Sequence, residues 1–281
     1  MPYLATKALP ASSGGMSYRD AGSGFPLVLI HGFPMDGSIW EAHMDVLKPH
    51  FRLLVPDLPG SGASPLTHPL GIATMSEAVY AMLQQEQITS CIMIGHSMGG
   101  YITLRFAAQY PQLLRGWGLF HSTAFPDTEE KKNGRLKSIQ LMHDYGGAAF
   151  LRQMIPDMFA GRFRDTQRNQ LTALIRSREE MAVASMEAYY RAMMERPDAT
   201  AALRGSKVPV LFILGKEDKA APLKDLLRQV SLPPTASIHI FEAVAHMGML
   251  ELPLPVTAGI IRTFAALCHL LDTKPKNHDD S

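Results

Sequence analysis

The sequence predicts an α/β protein with a mostly parallel central sheet, flanking helices and an inserted helical cap. Short apolar runs alternate with amphipathic stretches, which is typical of β-α-β units and a parallel sheet. A long segment without any such run, but with helical periodicity, lies between the fourth and the fifth of them. At 281 residues the chain is long enough for one large domain with an inserted subdomain.

Six apolar runs are predicted to be strands. In chain order they are Leu27–Ile30, Phe51–Val55, Ser90–Ile94, Gly116–Phe120, Val208–Leu214 and Ser237–Phe241. Helical patterns fall between and after them, at Ile39–Leu47, Met75–Gln87, Gly99–Tyr110, Leu223–Val230 and Thr257–Leu271. Ahead of the first run, Gly22-Ser23-Gly24 suits a hairpin turn. We therefore expect the sheet to begin with antiparallel strands.

The segment 124–206 predicts the cap. It is rich in Met, Arg and Glu with helical spacing, as in 171–195. A loop of that length without secondary structure would be unusual in a compact domain. We therefore expect a core of residues 1–123 and 207–271, a helical cap of 124–206, and a flexible polar tail of 272–281.

Composition limits the classes of partner. Hydrophobic residues make up 46%, charged residues 19%, and the net charge is +1, as in an ordinary globular enzyme. Basic residues are scattered and form no stripe with interleaved aromatics, so nucleic acid is not an expected partner. We expect a small-molecule substrate and either a monomer or a homo-oligomer.

The cellular location is predicted to be the cytoplasm. Cys91 and Cys268 are too few for a disulfide framework and are predicted to be buried thiols. The first 20 residues lack a signal-peptide pattern, and no apolar run approaches the roughly 20 residues of a membrane span. A membrane is therefore not an expected partner.

The motif Gly95-His96-Ser97-Met98-Gly99 follows a predicted strand and opens a predicted helix. A serine hydroxyl is a poor nucleophile unless it has a base, an orienting acid and donors for an oxyanion. Glycines two residues before and after the serine allow the sharp turn that exposes its hydroxyl. This context predicts Ser97 as a nucleophile.

Two backbone groups are predicted to form the oxyanion hole. The N–H of Met98 lies at the start of the helix, where the helix dipole favours negative charge. The second donor should come from the loop after the first apolar run, His31-Gly32-Phe33-Pro34. Phe33 is the candidate, because Pro34 has no N–H.

The acid is predicted to be Asp218, which follows the run Val208–Leu214. Strand-end placement and chain order favour it. Glu217 is adjacent but should point the other way, Glu242 follows the last strand, and Asp127 follows the fourth. These three carboxylates are the alternatives.

The base should come last in the chain order of this triad. The histidines after Asp218 are His239, His246, His269 and His278. The first lies inside a strand run, the third late on a helix and the fourth in the polar tail. Only His246, in the loop after the final strand, is placed to reach Ser97.

Together these motifs resemble the α/β-hydrolase superfamily over most of the chain. The matching segments are His31–Pro34 with Trp40, Asp57–Ser64, Gly95–Gly100, Gly215–Pro222, and His246 with Glu251. The stretch Met194–Asp198, leading into Val208–Val210, is similar to small bacterial esterase-like members with a helical cap. The resemblance implies the α/β-hydrolase fold and a cofactor-free serine hydrolase that cleaves an ester or related acyl bond.

Neighbouring subfamilies narrow this expectation. Dehalogenases and soluble epoxide hydrolases carry Asp at the nucleophile position, where this chain has Ser97. Prolyl iminopeptidases usually show Gly-Gly-Ser-Trp-Gly, whereas this chain has Gly-His-Ser-Met-Gly. Both differences disfavour these classes.

The leading interpretation is a carboxylesterase with a capped, largely apolar pocket for a small to medium, largely apolar acyl substrate. Carbon–carbon bond hydrolases and cofactor-free perhydrolases share the Ser–Asp–His triad, so both stay open beside it. A ligand receptor on the same scaffold is a further alternative, although binding alone needs no triad.

Residues of the substrate pocket are harder to predict. His121, after the fourth strand run, and Met158, in the cap, are candidates. Methionines of the cap could form an adaptable apolar wall or simply fill gaps in the core. No group of residues has the spacing of a metal site, so we expect neither a metal nor a cofactor.

Overall fold

Within residues 5–272, which the computed structural model describes, eight strands form one sheet. They are β1 (Ala5–Ala8), β2 (Ser17–Ala21), β3 (Phe25–Ile30), β4 (Phe51–Pro56), β5 (Cys91–His96), β6 (Leu114–Phe120), β7 (Val210–Gly215) and β8 (Ala236–Phe241). Their order is β1-β2-β4-β3-β5-β6-β7-β8. All pairings from β4-β3 to β7-β8 are parallel, which confirms the predicted fold class and all six predicted strands.

The sheet begins with antiparallel strands, as predicted, but not through the predicted hairpin. β2 pairs antiparallel with β1 and β4, and it does not pair with β3. The Gly22–Gly24 turn therefore connects β2 with β3, and β4 lies between these two strands in the sheet. The physical reason is burial: Leu27–Ile30 is fully buried between two parallel neighbours, whereas β2 is only partly buried and takes an outer position.

Outside the segment between β6 and β7, the helices are α1 (Glu41–Leu47), α2 (Ile72–Gln85), α3 (Met98–Gln109), α10 (Leu223–Leu226), α11 (Gly248–Glu251) and α12 (Leu254–Asp272). The five predicted helices occur in the predicted order, together with one that was not predicted, α11. α2 packs on α3 and α1 packs on α12, while α3 and α12 both contact β6. The buried thiols are as predicted, and burial raises the pKa of Cys91 and Cys268 to about 12.

The predicted helix Leu223–Val230 is only one turn long. After α10 the chain turns, and the fully buried side chain of Gln229 holds it against the end of β6. Gln229 Nε2 donates to Ser122 O at 2.8 Å, and Gln229 Oε1 accepts from Ala124 N at 2.7 Å. These tertiary hydrogen bonds override the helical pattern.

Six helices occupy the segment between β6 and β7. They are α4 (Glu129–Tyr145), α5 (Gly147–Asp157), α6 (Gly161–Thr166), α7 (Arg168–Arg178), α8 (Val183–Met194) and α9 (Thr200–Arg204). α4 begins with a capping hydrogen bond from Lys131 N to Thr128 Oγ1, followed by acidic residues that suit a helix N-terminus. The predicted boundaries of the core and cap stay a prediction. The predicted tail lies, apart from Asp272, outside the described residues.

One helix of the described chain, α12, is long and apolar enough to cross a membrane by length and composition. No membrane-spanning helix was predicted from the sequence. Length and composition are weak evidence of a span, and one face of α12 packs on the sheet. A Cβ on Gly116 of β6 would lie 2.3 Å from Cys268 Sγ and 3.1 Å from Phe264, so Gly116 allows this close packing.

Candidate active site

Ser97 lies at the turn between β5 and α3 in a backbone conformation that is unusual for a residue other than glycine. Its φ is 51° and its ψ is −117°, a strained geometry of the kind that clusters at functional sites. A Cβ on Gly95 would lie 2.2 Å from Gly99 O, and one on Gly99 would lie 2.6 Å from His31 O. The two glycines of the motif are therefore required by close backbone contacts.

The structure brings Ser97, His246 and Asp218 into one chain of hydrogen bonds. Ser97 Oγ is 2.8 Å from His246 Nε2, and His246 Nδ1 is 2.8 Å from Asp218 Oδ2. Because these residues follow β5, β8 and β7, the parallel strands deliver them to the same edge of the sheet. Their side chains reach one another from positions about 30 and 150 residues apart.

Asp218 is held as a carboxylate. Its Oδ1 accepts hydrogen bonds from Ala220 N at 2.9 Å and Ala221 N at 2.8 Å. Burial alone would raise the pKa of Asp218. The charge that His246 can carry and the hydrogen bonds of His246 and His121 outweigh it and hold the pKa of Asp218 well below its usual range.

The rival residues of the sequence analysis lie elsewhere. Glu217 is exposed, Glu242 pairs with Lys216 at the surface, and Asp127 binds two arginines of the segment between β6 and β7. His239 lies in β8, where it bonds Ser237, and His269 lies on α12. His278 is outside the described residues. Within residues 5–272, Asp218 is the carboxylate hydrogen-bonded to the ring of His246.

The structure contradicts the prediction that His121 lines the pocket. Its side chain is fully buried beneath the site, and its Nδ1 lies 3.2 Å from Asp218 Oδ2. A φ of 50° at the end of β6 turns the ring toward the neighbouring strand, where a Cβ on Gly215 would meet it at 2.9 Å. Burial lowers the pKa of His121, so the neutral ring donates to Asp218. The sequence signal for this contact was the position of His121 directly after a predicted parallel strand, because residues that follow such strands meet at one edge of the sheet.

The predicted oxyanion donors flank Ser97. Met98 is the first residue of α3, so its N–H has no partner inside the helix. A Cβ on Gly32 would lie 2.8 Å from Ser97 Cβ, which places the backbone before Phe33 directly against the nucleophile. Their use as oxyanion donors stays a prediction.

His31 fixes the direction of the Phe33 N–H. His31 Nε2 accepts from Leu58 N at 3.0 Å, so Nδ1 carries the proton and donates to Gly32 O at 3.0 Å. Met35 N donates to the same oxygen at 2.9 Å. The C=O and N–H of a trans peptide point in opposite directions, so the Phe33 N–H is turned away from these donors.

A cavity of about 720 Å³ opens onto Ser97 and His246. Its apolar and aromatic lining residues include Phe33, Tyr101, Phe125, Met154, Met158, Tyr190 and Met193. Met158 lines this cavity, and its contact with a substrate stays a prediction. Charged side chains also line this cavity, among them Glu130, Lys131, Arg135, Arg196, Lys219, Asp225 and Arg228. The lining is thus apolar only in part.

The segment after α5 is fastened to the loop that carries His246. His246 N donates to Met158 O at 2.9 Å. Glu251 accepts from Ala160 N at 2.9 Å and from Ala245 N and Met247 N at 3.0–3.1 Å. Burial raises the pKa of Glu251 despite these donors. These contacts fix the position of His246 relative to Met158, which lines the cavity.

No group of three or more His, Cys, Asp or Glu in residues 5–272 is arranged to hold a metal ion. A hydroxyl, an imidazole and a carboxylate in series suit activation of a nucleophile.

Comparison with known proteins identifies the family. Residues 27–259 match the model of the alpha/beta hydrolase family. The chain is 26% identical over 258 residues to a pimeloyl-[acyl-carrier protein] methyl ester esterase of Xanthomonas campestris, covering 88% of this chain and 97% of that protein.

Solved structures are similar as well. A thermophilic esterase from Thermogutta terrifontis superposes with a TM-score of 0.86 at 25% identity, covering 94% of this chain and 98% of that one. An enol-lactonase from Burkholderia xenovorans, at 20% identity, shares the fold with a TM-score of 0.80, covering 89% of this chain and 97% of that one. The protein is thus a member of the alpha/beta hydrolase family.

Proposed function

We propose that the protein is a serine hydrolase that cleaves a carboxylic ester through an acyl-enzyme on Ser97. The observation that carries the proposal is the unbroken hydrogen-bond chain from Ser97 Oγ through His246 to Asp218, at 2.8 Å for each step. The esterases among the similar proteins support an ester as the bond that is cleaved. The triad alone would equally serve carbon–carbon bond hydrolases and perhydrolases.

In the proposed mechanism His246 Nε2 takes the proton of Ser97 as Oγ attacks the ester carbonyl. Asp218 keeps the proton of the imidazole on Nδ1 and stabilises the imidazolium. The backbone N–H groups of Phe33 and Met98 receive the oxyanion, and each such donor typically lowers the barrier by about 2.7–4 kcal/mol. His246 then protonates the leaving alkoxide, and water repeats the attack on the acyl-enzyme.

The cavity supports a small to medium substrate. Its volume of about 720 Å³ falls within the usual range of small-molecule pockets. Phe33 and Met158 border the same space as Ser97, so an aliphatic acyl chain would find apolar contacts there.

Labelling with a fluorophosphonate probe tests the nucleophile. The wild type should be labelled and Ser97→Ala should not. Ser138→Ala is a matched control, because Ser138 lines the same cavity but is not hydrogen-bonded to a histidine ring within the described residues. It should still be labelled. Equal labelling of the wild type and Ser97→Ala would refute the assignment of Ser97.

A panel of 4-nitrophenyl esters from acetyl to dodecanoyl tests the reaction. Turnover that depends on Ser97 is expected, with a maximum at short or medium chains. If the probe labels Ser97 but the panel gives no turnover, the carbon–carbon or peroxide chemistries replace ester hydrolysis.

A further inference from the structure

Two arginines of the segment between β6 and β7 share one buried carboxylate at the cavity. Asp127 is fully buried; its Oδ2 accepts from Arg135 Nε at 2.7 Å, and its Oδ1 lies 3.0 Å from Arg196 Nη2. Burial would raise the pKa of Asp127, but the two guanidinium groups lower it below its usual value. The ionised carboxylate neutralises only one arginine, so the cluster keeps one positive charge.

The two arginines differ in how many of their donors are used. Arg196 Nη1 donates to Met193 O at 2.6 Å and Nη2 to Phe125 O at 3.1 Å, while the guanidinium stacks 3.8 Å from the ring centroid of Tyr101. Arg135 donates to Asp127 through Nε. Within residues 5–272 neither Nη atom of Arg135 donates a hydrogen bond to the protein, and neither is sealed from solvent.

Arg135 lines the same cavity as Ser97. Its guanidinium lies 5.1 Å from the ring centroid of Tyr190, which restricts its orientation. The two terminal nitrogens of an arginine form a planar fork that matches a carboxylate in a bidentate arrangement. An arginine that keeps this fork unused inside a cavity is a ready site for an anionic group of a ligand.

The rest of the lining favours an anion as well. Five cationic side chains border the cavity, against two lining carboxylates, Glu130 and Asp225, and the buried Asp127 that pairs with two of the arginines. Lys131 Nζ donates to Ala220 O at 2.8 Å, and Arg228 lies 4.8 Å from the ring centroid of Phe125. An excess of one sign in a concave, partly apolar space concentrates ligands of the opposite charge.

Ser97 and Arg135 border one cavity, and a chain of contacts connects them. Tyr101 lies one helical turn after Ser97, about 6 Å along the axis of α3. Arg196 stacks on Tyr101, and Asp127 joins Arg196 to Arg135. A series of direct contacts therefore connects Tyr101, one helical turn after Ser97, with Arg135 beside the same cavity.

We propose that the substrate is a monoester of a dicarboxylic acid. Ser97 attacks its esterified carboxyl group, and Arg135 binds its free carboxylate. This inference rests on the proposed ester hydrolysis and names its substrate class. The hydrolysis releases the dicarboxylate and an alcohol, with water as the second reactant.

Matched substrates test the proposal. Monoethyl adipate and ethyl hexanoate have acyl chains of the same length and differ in a terminal carboxylate or methyl group. The wild type should have the higher kcat/KM for monoethyl adipate, measured by ethanol release. Arg135→Gln should lower the ratio of the two kcat/KM values by about tenfold or more, the effect of one charge-assisted bidentate contact. Arg135→Lys, which keeps the positive charge, should have a ratio of the two kcat/KM values between those of Arg135→Gln and the wild type.

Arg152→Gln is the matched control. Arg152 lies on α5, is more than half exposed and pairs with Glu179 outside the cavity. It should leave both kcat/KM values and their ratio unchanged. Circular dichroism and fluorophosphonate labelling of Ser97 check that each variant is folded. A wild-type ratio near one, or an equal loss for both esters in Arg135→Gln, would overturn the proposal.

A binding experiment separates this proposal from that of ester hydrolysis. Adipate is titrated calorimetrically into the wild type and into Arg135→Gln, with inorganic phosphate at equal ionic strength as a second anion. Binding of adipate that weakens about tenfold or more in Arg135→Gln supports the carboxylate site even if no ester is hydrolysed. Equal affinity of both proteins for adipate refutes the site, and tighter binding of phosphate than adipate refutes a carboxylate as its ligand.

Discussion

Asp218→Asn should place the proton on the wrong nitrogen of His246. Ala220 N and Ala221 N both donate to Asp218 Oδ1. In the variant these two donors fix the amide oxygen at that position, because the amide NH2 cannot accept from them. The NH2 group then takes the place of Oδ2, where it faces His246 Nδ1. It can donate there only if Nδ1 is unprotonated, so Nε2 carries the proton and cannot accept that of Ser97.

The expected loss follows from this tautomer change. The same substitution in the serine protease triad lowers kcat about 10⁴-fold, which corresponds to about 5.4 kcal/mol in the activation free energy. We expect a loss of this order in kcat for 4-nitrophenyl butyrate, since the hydrogen bonds of Asp218 force the amide into one orientation. His121 also donates to Oδ2 and would face the same NH2 group.

The measurement is kcat under saturating substrate, together with the rate of fluorophosphonate labelling and the thermal midpoint. Asp218→Asn should be folded, labelled slowly and nearly inactive. Glu217→Gln, one residue away on the exposed side of the turn, is a control that should keep its activity. A kcat above about one tenth of the wild-type value in Asp218→Asn would refute the tautomer argument.

Three further outcomes are expected. Asp127→Asn should destabilise the fold by about 3–5 kcal/mol, because it leaves the buried Arg196 and the partly buried Arg135 without their counter-ion. Urea unfolding measures this, and an unchanged midpoint would contradict it. Burial lowers the pKa of His43 to about 4. Below about pH 6.5 the unfolded chain therefore binds a proton at His43 that the folded chain does not bind, so the stability of the fold decreases as the pH drops from 6.5 to 4. Between pH 7.5 and 5.0 the wild type should lose about 2 kcal/mol more than His43→Gln, and equal losses would exclude His43 as the cause. Gly259→Ala, where a Cβ meets nothing within 4 Å inside α12, should raise stability by about 0.5–1 kcal/mol in the same assay.

The sequence by itself determined six of the eight strands, and it predicted Ser97, Asp218 and His246, which the structure brings together. Apolar runs reveal buried parallel strands because such strands exclude water on both faces. The turn at Ser97 needs glycine on both sides for steric reasons that any α/β protein with this turn would share. Asp218 and His246 were predictable because parallel strands end at one edge, so residues that directly follow them converge.

Only the tertiary structure decided which residues support that site. His121 touches Asp218 rather than a substrate because a left-handed backbone conformation turns its ring under the sheet edge. The pairing of Asp127 with two arginines joins α4 to the end of α8, which no local pattern relates. Local pattern encodes where a strand or helix forms, whereas the direction of a side chain and the charge of a cavity depend on contacts between distant segments.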